Sequence, residues 1–210
     1  MSEHPLSRHI PLKAVPLLEG MFNKYPLRFV IERSRSSKWG DYRPPLAGDE
    51  RHRISVIGSL NPYAFLLTAV HEYAHLLVKV RHPRERKQAH GKEWKAYFKE
   101  ALRPFLDGGC FPADISDVLR IHMRNPRASV TADLRLQEIL LRYDELPENA
   151  ILLRDLPEGS LFHGPDGRLF RKKNTLRKRV LCTCLNDRRD YRVYALLLVQ
   201  PYKAEADQSL

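Results

Sequence analysis

The strongest constraint on this chain is a pair of histidines four residues apart inside a long apolar segment. The segment from Tyr63 to Val80 is almost entirely apolar and contains His71-Glu72-Tyr73-Ala74-His75. Asn61 and Pro62 precede it and form a favourable helix start, because Asn caps helices and Pro fits the first helical position. Histidines four apart lie on one helix face, where both imidazoles can reach a single metal ion. The segment therefore predicts a buried helix that holds a metal.

Glu72 follows the first histidine and is expected to enter the same cleft without binding the metal. Burying two imidazoles and a carboxylate without partners costs roughly 1–3 kcal/mol for each group, and a metal ion supplies the partner. A zinc ion with three protein ligands and one open position lowers the pKa of its water to about 7. A neighbouring carboxylate then accepts the proton as the water attacks a carbonyl. The motif predicts one Zn²⁺ per chain and the chemistry of a zinc peptidase.

The motif alone leaves the third ligand open. His90 is favoured because residues 81–89 are polar and contain Pro83, so that the buried helix ends there and the chain can turn back. Arg81 stands where the metzincin motif has its third histidine, which excludes that spacing. The residues that compete with His90 are His82, Glu93 and Glu100.

Four elements of the chain together resemble the SprT/Spartan family of zinc metallopeptidase domains. In order, they are residues 37–43 with a Trp-Gly pair, residues 54–62, the motif at 71–75, and His90-Gly91-x-x-Trp94. The resemblance covers roughly residues 10–105. It implies that the zinc ligands are His71, His75 and His90, and that Glu72 is the catalytic base. The eukaryotic relatives degrade proteins that are cross-linked to DNA.

The cysteines mark a departure from that family, many of whose members carry a C-terminal zinc ribbon with two C-x-x-C pairs. This chain has only Cys110, Cys182 and Cys184, too few for a four-cysteine site. Cys182 and Cys184 are expected on opposite faces of one strand, which argues against a shared metal. Recognition of DNA or partners through a ribbon is therefore not implied.

The charge of the chain favours polyanionic partners, nucleic acid first. The formal net charge is +11 and the isoelectric point is about 9.7. The sequence has no run of about 18 apolar residues free of charge, and its first residues lack the features of a signal peptide. We therefore expect a cytoplasmic protein, including a nucleoid location, with no membrane partner.

Hydrophobic periodicity divides the chain into an α+β domain and a small all-β module. Residues 1–146 are expected to form helices on a small sheet, a zincin-like arrangement whose metal helix carries the motif. The turn signal at residues 164–167 indicates four or five antiparallel strands within 150–203, and 204–210 is expected to be a tail. The other predicted helices are 10–25, 92–102, 114–123 and 131–143, and the first three strands are 27–32, 39–42 and 53–58.

Two basic clusters are candidate contacts for nucleic acid without sequence preference. Residues 151–203 contain 12 Lys/Arg against 5 Asp/Glu, with Phe170, Tyr191 and Tyr194 nearby in sequence for base stacking. The second cluster lies in the loop before His90, beside the predicted chemistry. For each cluster, a solvated basic face is the competing interpretation. The candidate residues are Arg81, Arg84, Arg86, Lys87, Arg171, Lys172, Lys173, Arg177, Lys178 and Arg179.

The leading functional prediction combines these features. It is a zinc-dependent metalloendopeptidase that acts on DNA-associated or DNA-cross-linked proteins. The alternative is a nucleic-acid-binding protein whose zinc domain is structural or nearly inactive. A third prediction is zinc-dependent hydrolysis of another substrate class, because activation of water does not by itself select a peptide.

Overall fold

The computed structural model describes residues 5–33, 38–129 and 132–202. The chain divides into two compact units, Met1–Asp144 and Glu145–Leu210, each with its own apolar core. Together the units contain helices and strands, which makes the chain a mixed α+β protein. None of the helices in the described part is long and apolar enough to cross a bilayer. The predictions for Ser37, for Thr131 and for the tail at 204–210 fall outside the described residues.

The first unit builds helices around a three-stranded sheet. The sheet has the order β1-β3-β2, in which β1 runs parallel to β3 and β2 runs antiparallel to it at one edge. The central strand and the longest helix contribute many of the buried residues of this core. The elements are α1 (Val15–Phe22), β1 (Leu27–Glu32), β2 (Gly40–Arg43), β3 (His52–Ile57), α2 (Pro62–Arg81), α3 (Lys92–Asp107), α4 (Ala113–His122) and α5 (Leu134–Leu141).

The two largest errors in the predicted helix boundaries both involve proline. The first helix begins at Val15, after a 3₁₀ turn at Leu12–Ala14, and Pro16 falls in its first turn, where a missing N–H breaks no helical bond. Helix α3 was expected to end before Pro104 but continues to Asp107. Proline inside a helix costs about 3 kcal/mol. Burial of Phe105 and Leu106 offsets this, at about 1.5–3 kcal/mol for each side chain.

The second unit is a small antiparallel β structure. Its four-stranded sheet has the order β5-β6-β7-β8, and β4 pairs with β9 separately. The predicted turn at 164–167 joins β5 to β6, and Gly167 adopts a φ of 76°, which favours glycine. The prediction of antiparallel strands in this region is confirmed. The strands are β4 (Ile151–Leu152), β5 (Leu161–His163), β6 (Leu169–Thr175), β7 (Arg179–Cys184), β8 (Asp190–Tyr194) and β9 (Leu198–Val199).

The prediction that Cys182 and Cys184 point to opposite faces is wrong. Both thiols are buried in the core of the second unit, together with Val180. Alternate residues of a strand share a face, so that i and i+2 point the same way. Burial raises the pKa of Cys182 to about 11, which keeps that thiol protonated at neutral pH.

Candidate metal centre

The start of helix α2 is fixed by the predicted Asn-Pro pair. The side-chain oxygen of Asn61 accepts hydrogen bonds from the backbone N–H groups of Tyr63 and Ala64, at 3.1 and 2.9 Å. Its amide nitrogen donates to the carbonyl of Leu140 at 3.0 Å, which ties the helix start to α5. The predicted cap is therefore confirmed. Because the helix begins at a fixed residue, the rotation of every later side chain about its axis is also fixed.

Three imidazoles converge beside α2. The Nε2 atoms of His71 and His75 are 3.3 Å apart, and the Nε2 atom of His90 lies 3.2 and 3.1 Å from them. Nitrogens bound to one zinc ion at 2.0–2.1 Å with tetrahedral angles are about 3.3 Å apart. The triangle of nitrogens therefore has the dimensions that a tetrahedral zinc ion requires, and within the described residues these three histidines form one potential metal-binding group.

Burial prepares the three imidazoles to bind a cation. It lowers the pKa of His71 well below its usual value and lowers that of His75 to about 4. The pKa of His90 is also lowered by burial. Repulsion between the rings adds to the effect for His71 and His75. All three rings are therefore unprotonated at neutral pH, which is the form that binds zinc.

Glu72 is buried next to this group but is not one of its members. Its side chain is 7% exposed, and burial raises its pKa to about 8, with a further contribution from the charge of Asp41. The backbone N–H of Tyr42 donates a hydrogen bond to the carboxylate. A dication nearby would favour the ionised form. The carboxylate is thus held by the edge strand β2 through the hydrogen bond from Tyr42.

Gly40 allows β2 to approach this carboxylate closely. A Cβ atom at position 40 would lie 2.6 Å from Cγ2 of Thr68 and 2.9 Å from both Cγ and Oε1 of Glu72. Real Cβ contacts essentially never fall below 3.0 Å. Any side chain at this position would therefore displace the strand or Glu72. The resemblance includes the Trp-Gly pair, but the sequence does not predict the contact of Gly40 with Glu72.

Gly40→Ala is expected to reduce hydrolysis by up to about 10²-fold, because a displacement of about 1 Å in a catalytic group can cost that much. Zinc content should not change, since the atoms nearest to a Cβ at position 40 belong to Thr68 and Glu72 and not to the histidines. The measurement compares hydrolysis rate and zinc content of the purified proteins. Gly20→Ala is the matched control, because a Cβ there meets nothing within 4 Å. Equal rates in the two variants would contradict the role assigned to this contact.

Trp94 packs against all three imidazoles. Its ring centroid lies 4.6 Å from that of His71, 5.6 Å from His75 and 4.8 Å from His90. The indole is fully buried, stacks on Phe98 and donates a hydrogen bond to the carbonyl of His71 at 3.4 Å. The positions of the rings are therefore constrained by packing as well as by the helix. In the sequence, this role is signalled only by the position of Trp94 four residues after His90.

The three competing residues for the third ligand are engaged elsewhere. His82 contacts the carboxylate of Glu85 and the hydroxyl of Tyr97, at 3.1 and 2.9 Å. Glu93 pairs with Lys87 and Glu100 pairs with Arg81, at 3.2 and 2.7 Å between charged atoms. None of the three belongs to the group that contains His71 and His75. The geometry brings His90 to that pair.

The basic loop beside the centre is largely neutralised by local ion pairs. Arg81 pairs with Glu100, and Lys87 pairs with both Glu85 and Glu93. The exposed residues Arg84 and Arg86 make no salt bridge with any described residue. Only these two of the four predicted contacts in this loop therefore present a charge without a paired carboxylate.

In the second unit, most of the predicted basic residues are exposed. Arg171 and Lys173 of β6 and Arg179 of β7 alternate with buried neighbours and therefore share the outer face of the sheet. Lys173 pairs with Asp190 on that face. The remaining two predicted residues, Arg177 and Lys178, are exposed in the turn between β6 and β7.

The prediction that Lys172 contacts nucleic acid is wrong. Its side chain is 5% exposed and points into the core of the second unit. The ammonium donates hydrogen bonds to the carbonyls of Arg154 and Leu156, which supply the polar partners that a buried cation requires. In a run of three basic residues on a strand, the middle one faces the opposite side from its neighbours.

Most of the predicted stacking platform lies in the core. Phe170 is buried against Phe162, and the edge of Tyr191 packs on Phe170. Tyr194 lies on the outer face, beneath the guanidinium of Arg179. The interpretation of Phe170 as a stacking residue is therefore wrong, whereas Tyr191 is only partly buried. Tyr194 is the member of that predicted set on the basic outer face.

Comparison with known proteins gives no family for this chain. No family model, no curated protein and no solved structure matches it. The resemblance to the SprT/Spartan family therefore stays a prediction, which rests on the residues of the motif and of the elements around it.

Proposed function

We propose that this protein is a zinc-dependent metalloendopeptidase. The observation that carries the proposal is the triangle of Nε2 atoms of His71, His75 and His90, which are 3.1–3.3 Å apart, with buried Glu72 beside it. Structural zinc sites usually have four protein ligands, whereas catalytic sites have three and leave one position open. The group of three histidines, with a carboxylate outside it, corresponds to the catalytic type.

The residues of the centre have separate tasks. His71, His75 and His90 would hold the zinc ion as neutral imidazoles, and Trp94 would keep their rings in position. When bound there, the ion supplies a Lewis acid and an acidified water. Glu72 accepts a proton from the attacking water on its carboxylate and returns it to the nitrogen of the departing amine. Burial raises the pKa of this carboxyl group, and a dication beside it would favour the ionised form that accepts the proton.

The edge strand β2 supports a peptide as the substrate. Among the described strands β2 pairs only with β3. On its other side Glu72 accepts the N–H of Tyr42, and the remaining backbone groups of that edge are the ones that a peptide could bond. An extended peptide can add to such an edge by main-chain hydrogen bonds. The strand begins at Gly40, in contact range of Glu72, which would bring a bound peptide bond near the base. Binding along an edge suits cleavage within a chain.

We also propose a zincin-like fold for the first unit, within the family to which the motif is similar. The support is the motif-bearing helix α2, which packs beside a sheet whose edge strand runs antiparallel to its neighbour. The loop between α2 and α3 returns the chain so that His90 meets His71 and His75. The resemblance implies the meeting of these three histidines.

Association with nucleic acid is the second part of the proposal. It is supported by the net charge of +11 and by Arg171, Lys173 and Arg179 on the outer face of the second unit. Phosphate contacts of this kind are independent of sequence and weaken with salt. A substrate protein on the same strand would then be present at an effective concentration of about millimolar for a short tether. We propose a cytoplasmic enzyme whose substrates are proteins associated with or cross-linked to DNA.

Single-stranded DNA is expected to accelerate the cleavage of a DNA-binding protein and to leave the cleavage of a free protein slow. The assay compares both substrates with and without DNA at low salt, with Glu72→Gln as the blank. Replacement of Arg171, Lys173 and Arg179 by glutamine in the full chain should reduce the acceleration, whereas Arg103→Gln with Arg120→Gln, both exposed in the first unit, should not.

Two outcomes would contradict parts of this proposal. Equal rates with and without DNA would leave a zinc peptidase that is not coupled to nucleic acid. An absence of cleavage under every condition, in a protein that contains zinc and binds DNA, would instead favour a nucleic-acid-binding protein with a structural zinc centre.

A further inference from the structure

Three arginines form a row across the sheet of the first unit. In the strand register, Arg28 of β1 lies beside Arg53 of β3, and Arg43 of β2 lies on the other side of Arg53. Neighbouring strands are about 4.8 Å apart, so the three positions span roughly 10 Å. Residues paired in this way point to the same face. None of these arginines belongs to the basic clusters that the sequence indicated.

This row lies on the sheet face opposite the metal centre. Phe29 packs edge-on against Phe65 of α2, and Ile54 is fully buried in the same core. Successive side chains alternate between faces, so the arginines that adjoin Phe29 and Ile54 point away from α2. Gly40 contacts Glu72 on the α2 side. A ligand on the arginine face would therefore leave the three histidines and the open edge of β2 accessible.

The row borders a cleft of about 390 Å³. Its remaining lining consists of Arg51, which adds a fourth guanidinium, the carboxylate of Asp49, and two apolar residues, Pro44 and Leu46. Arg51 pairs with Asp49 through Nε and Nη2, at 2.9 and 3.1 Å. With the carboxylates of Asp41 and Glu32, which pair with Arg43 and Arg53, four cations face three anions. The N–H donors that these pairs leave unused, with an apolar wall beside them, suit a ligand that carries several negative charges along an uncharged framework.

Ion pairs hold the guanidinium groups but leave most of their donors available. Arg43 contacts Asp41 through Nε at 2.8 Å, and Arg53 contacts Glu32 through one Nη2 at 2.9 Å. A guanidinium has five N–H donors in a fixed fork. Arg28 is exposed and makes no salt bridge with any described residue. The neighbouring carboxylates therefore hold the paired guanidinium groups in position in advance, which reduces the entropy lost when a ligand binds.

We propose that this cleft, which we call the arginine cleft (Arg28, Arg43, Arg51 and Arg53), binds consecutive phosphates of a nucleic-acid strand. Arginine forks match the oxygens of phosphate in a bidentate geometry. Neighbouring phosphates of a strand are farther apart than their axial rise of about 3.4 Å in a duplex, so a row of roughly 10 Å corresponds to about two of them. Pro44 and Leu46 offer apolar surface to the sugars of such a strand. The proposal does not depend on zinc or on hydrolysis.

The test measures binding of a fluorescently labelled oligothymidine by anisotropy, in the full chain with Arg171, Lys173 and Arg179 replaced by glutamine to remove the second unit's contribution. Adding Arg28→Gln and Arg43→Gln is expected to weaken binding by roughly tenfold or more, since a hydrogen bond to a charged group is worth about tenfold. The slope of log affinity against log salt should fall by about 1.4, which is 0.7 for each lost single-strand contact. Arg103→Gln with Arg120→Gln serves as the charge-matched control, and circular dichroism checks the fold.

Further measurements test the proposal from both sides. Arg28→Gln alone, at an exposed residue without a salt bridge, should retain the fold and still show a measurable loss of affinity. An abasic oligonucleotide should bind as well as oligothymidine, because the cleft contacts phosphate. Unchanged affinity and salt slope in the double variant would overturn the proposal. A second result would also overturn it. If the double variant bound a small polyphosphate more weakly but bound the oligonucleotide as tightly as before, the cleft would be a site for free anions.

Discussion

Glu72→Gln is expected to retain zinc and the fold and to lower peptide hydrolysis by about 10²–10⁴, the usual contribution of a general acid–base. The amide has nearly the same volume as the carboxylate, so it fits beside Gly40, but it cannot accept the proton. The measurement is the turnover rate on a protein substrate, together with zinc analysis of the same preparation. Glu93→Gln is the matched control, because that glutamate lies close in the fold and pairs with Lys87 instead.

Wild-type turnover in Glu72→Gln would remove this residue from the mechanism. Loss of zinc from Glu72→Gln would be equally informative, since it would make the carboxylate a ligand rather than a base. Loss of activity in Glu93→Gln to the same extent would point to a general electrostatic effect of the surrounding carboxylates instead of proton transfer by one group.

His75→Ala is expected to reduce bound zinc from about one ion per chain to near zero after dialysis against a chelator. Loss of even an outer partner of a ligand typically costs 10–100-fold in affinity, so the loss of a direct ligand should cost more. His71→Ala and His90→Ala should behave alike, because the three nitrogens form a nearly equilateral triangle. Elemental analysis measures the stoichiometry, and X-ray absorption of the wild-type protein counts the imidazole ligands.

The matched controls are His82→Ala, Glu93→Ala and Glu100→Ala, which should all retain zinc. Full retention in His90→Ala, combined with loss in one of the two glutamate variants, would move the third ligand onto α3. Four protein ligands in the X-ray absorption spectrum would contradict the assignment of a catalytic centre.

Local signals in the sequence were sufficient to predict the helix that carries His71 and His75. Asn61 and Pro62 determine its start through backbone hydrogen bonds and a fixed φ, and neither depends on distant residues. The spacing of His71 and His75 then places both on one face. The sequence could present His90 only as one of several candidates for the third ligand, because the loop between the helix and His90 could follow more than one path. Its position depends on how α3 packs against α2.

Features that depend on packing between distant segments were not predictable. The approach of Gly40 to Glu72 joins residues on different elements, and nothing in either local sequence specifies it. Pro104 was expected to end a helix, but burial of the residues after it outweighed the local cost. The arginine cleft likewise depends on strand order, because Arg28 and Arg43 become neighbours of Arg53 only in the assembled sheet.

The inward orientation of Lys172 has a consequence for chemical labelling. Arg171 and Lys173 are open to solvent, whereas the amine of Lys172 is held by two backbone carbonyls inside the core. An amine-reactive reagent in water should therefore modify Lys173 rapidly and reach Lys172 only when the second unit opens, at a rate set by local unfolding. Two adjacent lysines thus differ in reactivity, and the slower one, Lys172, reports the opening of the core of the second unit.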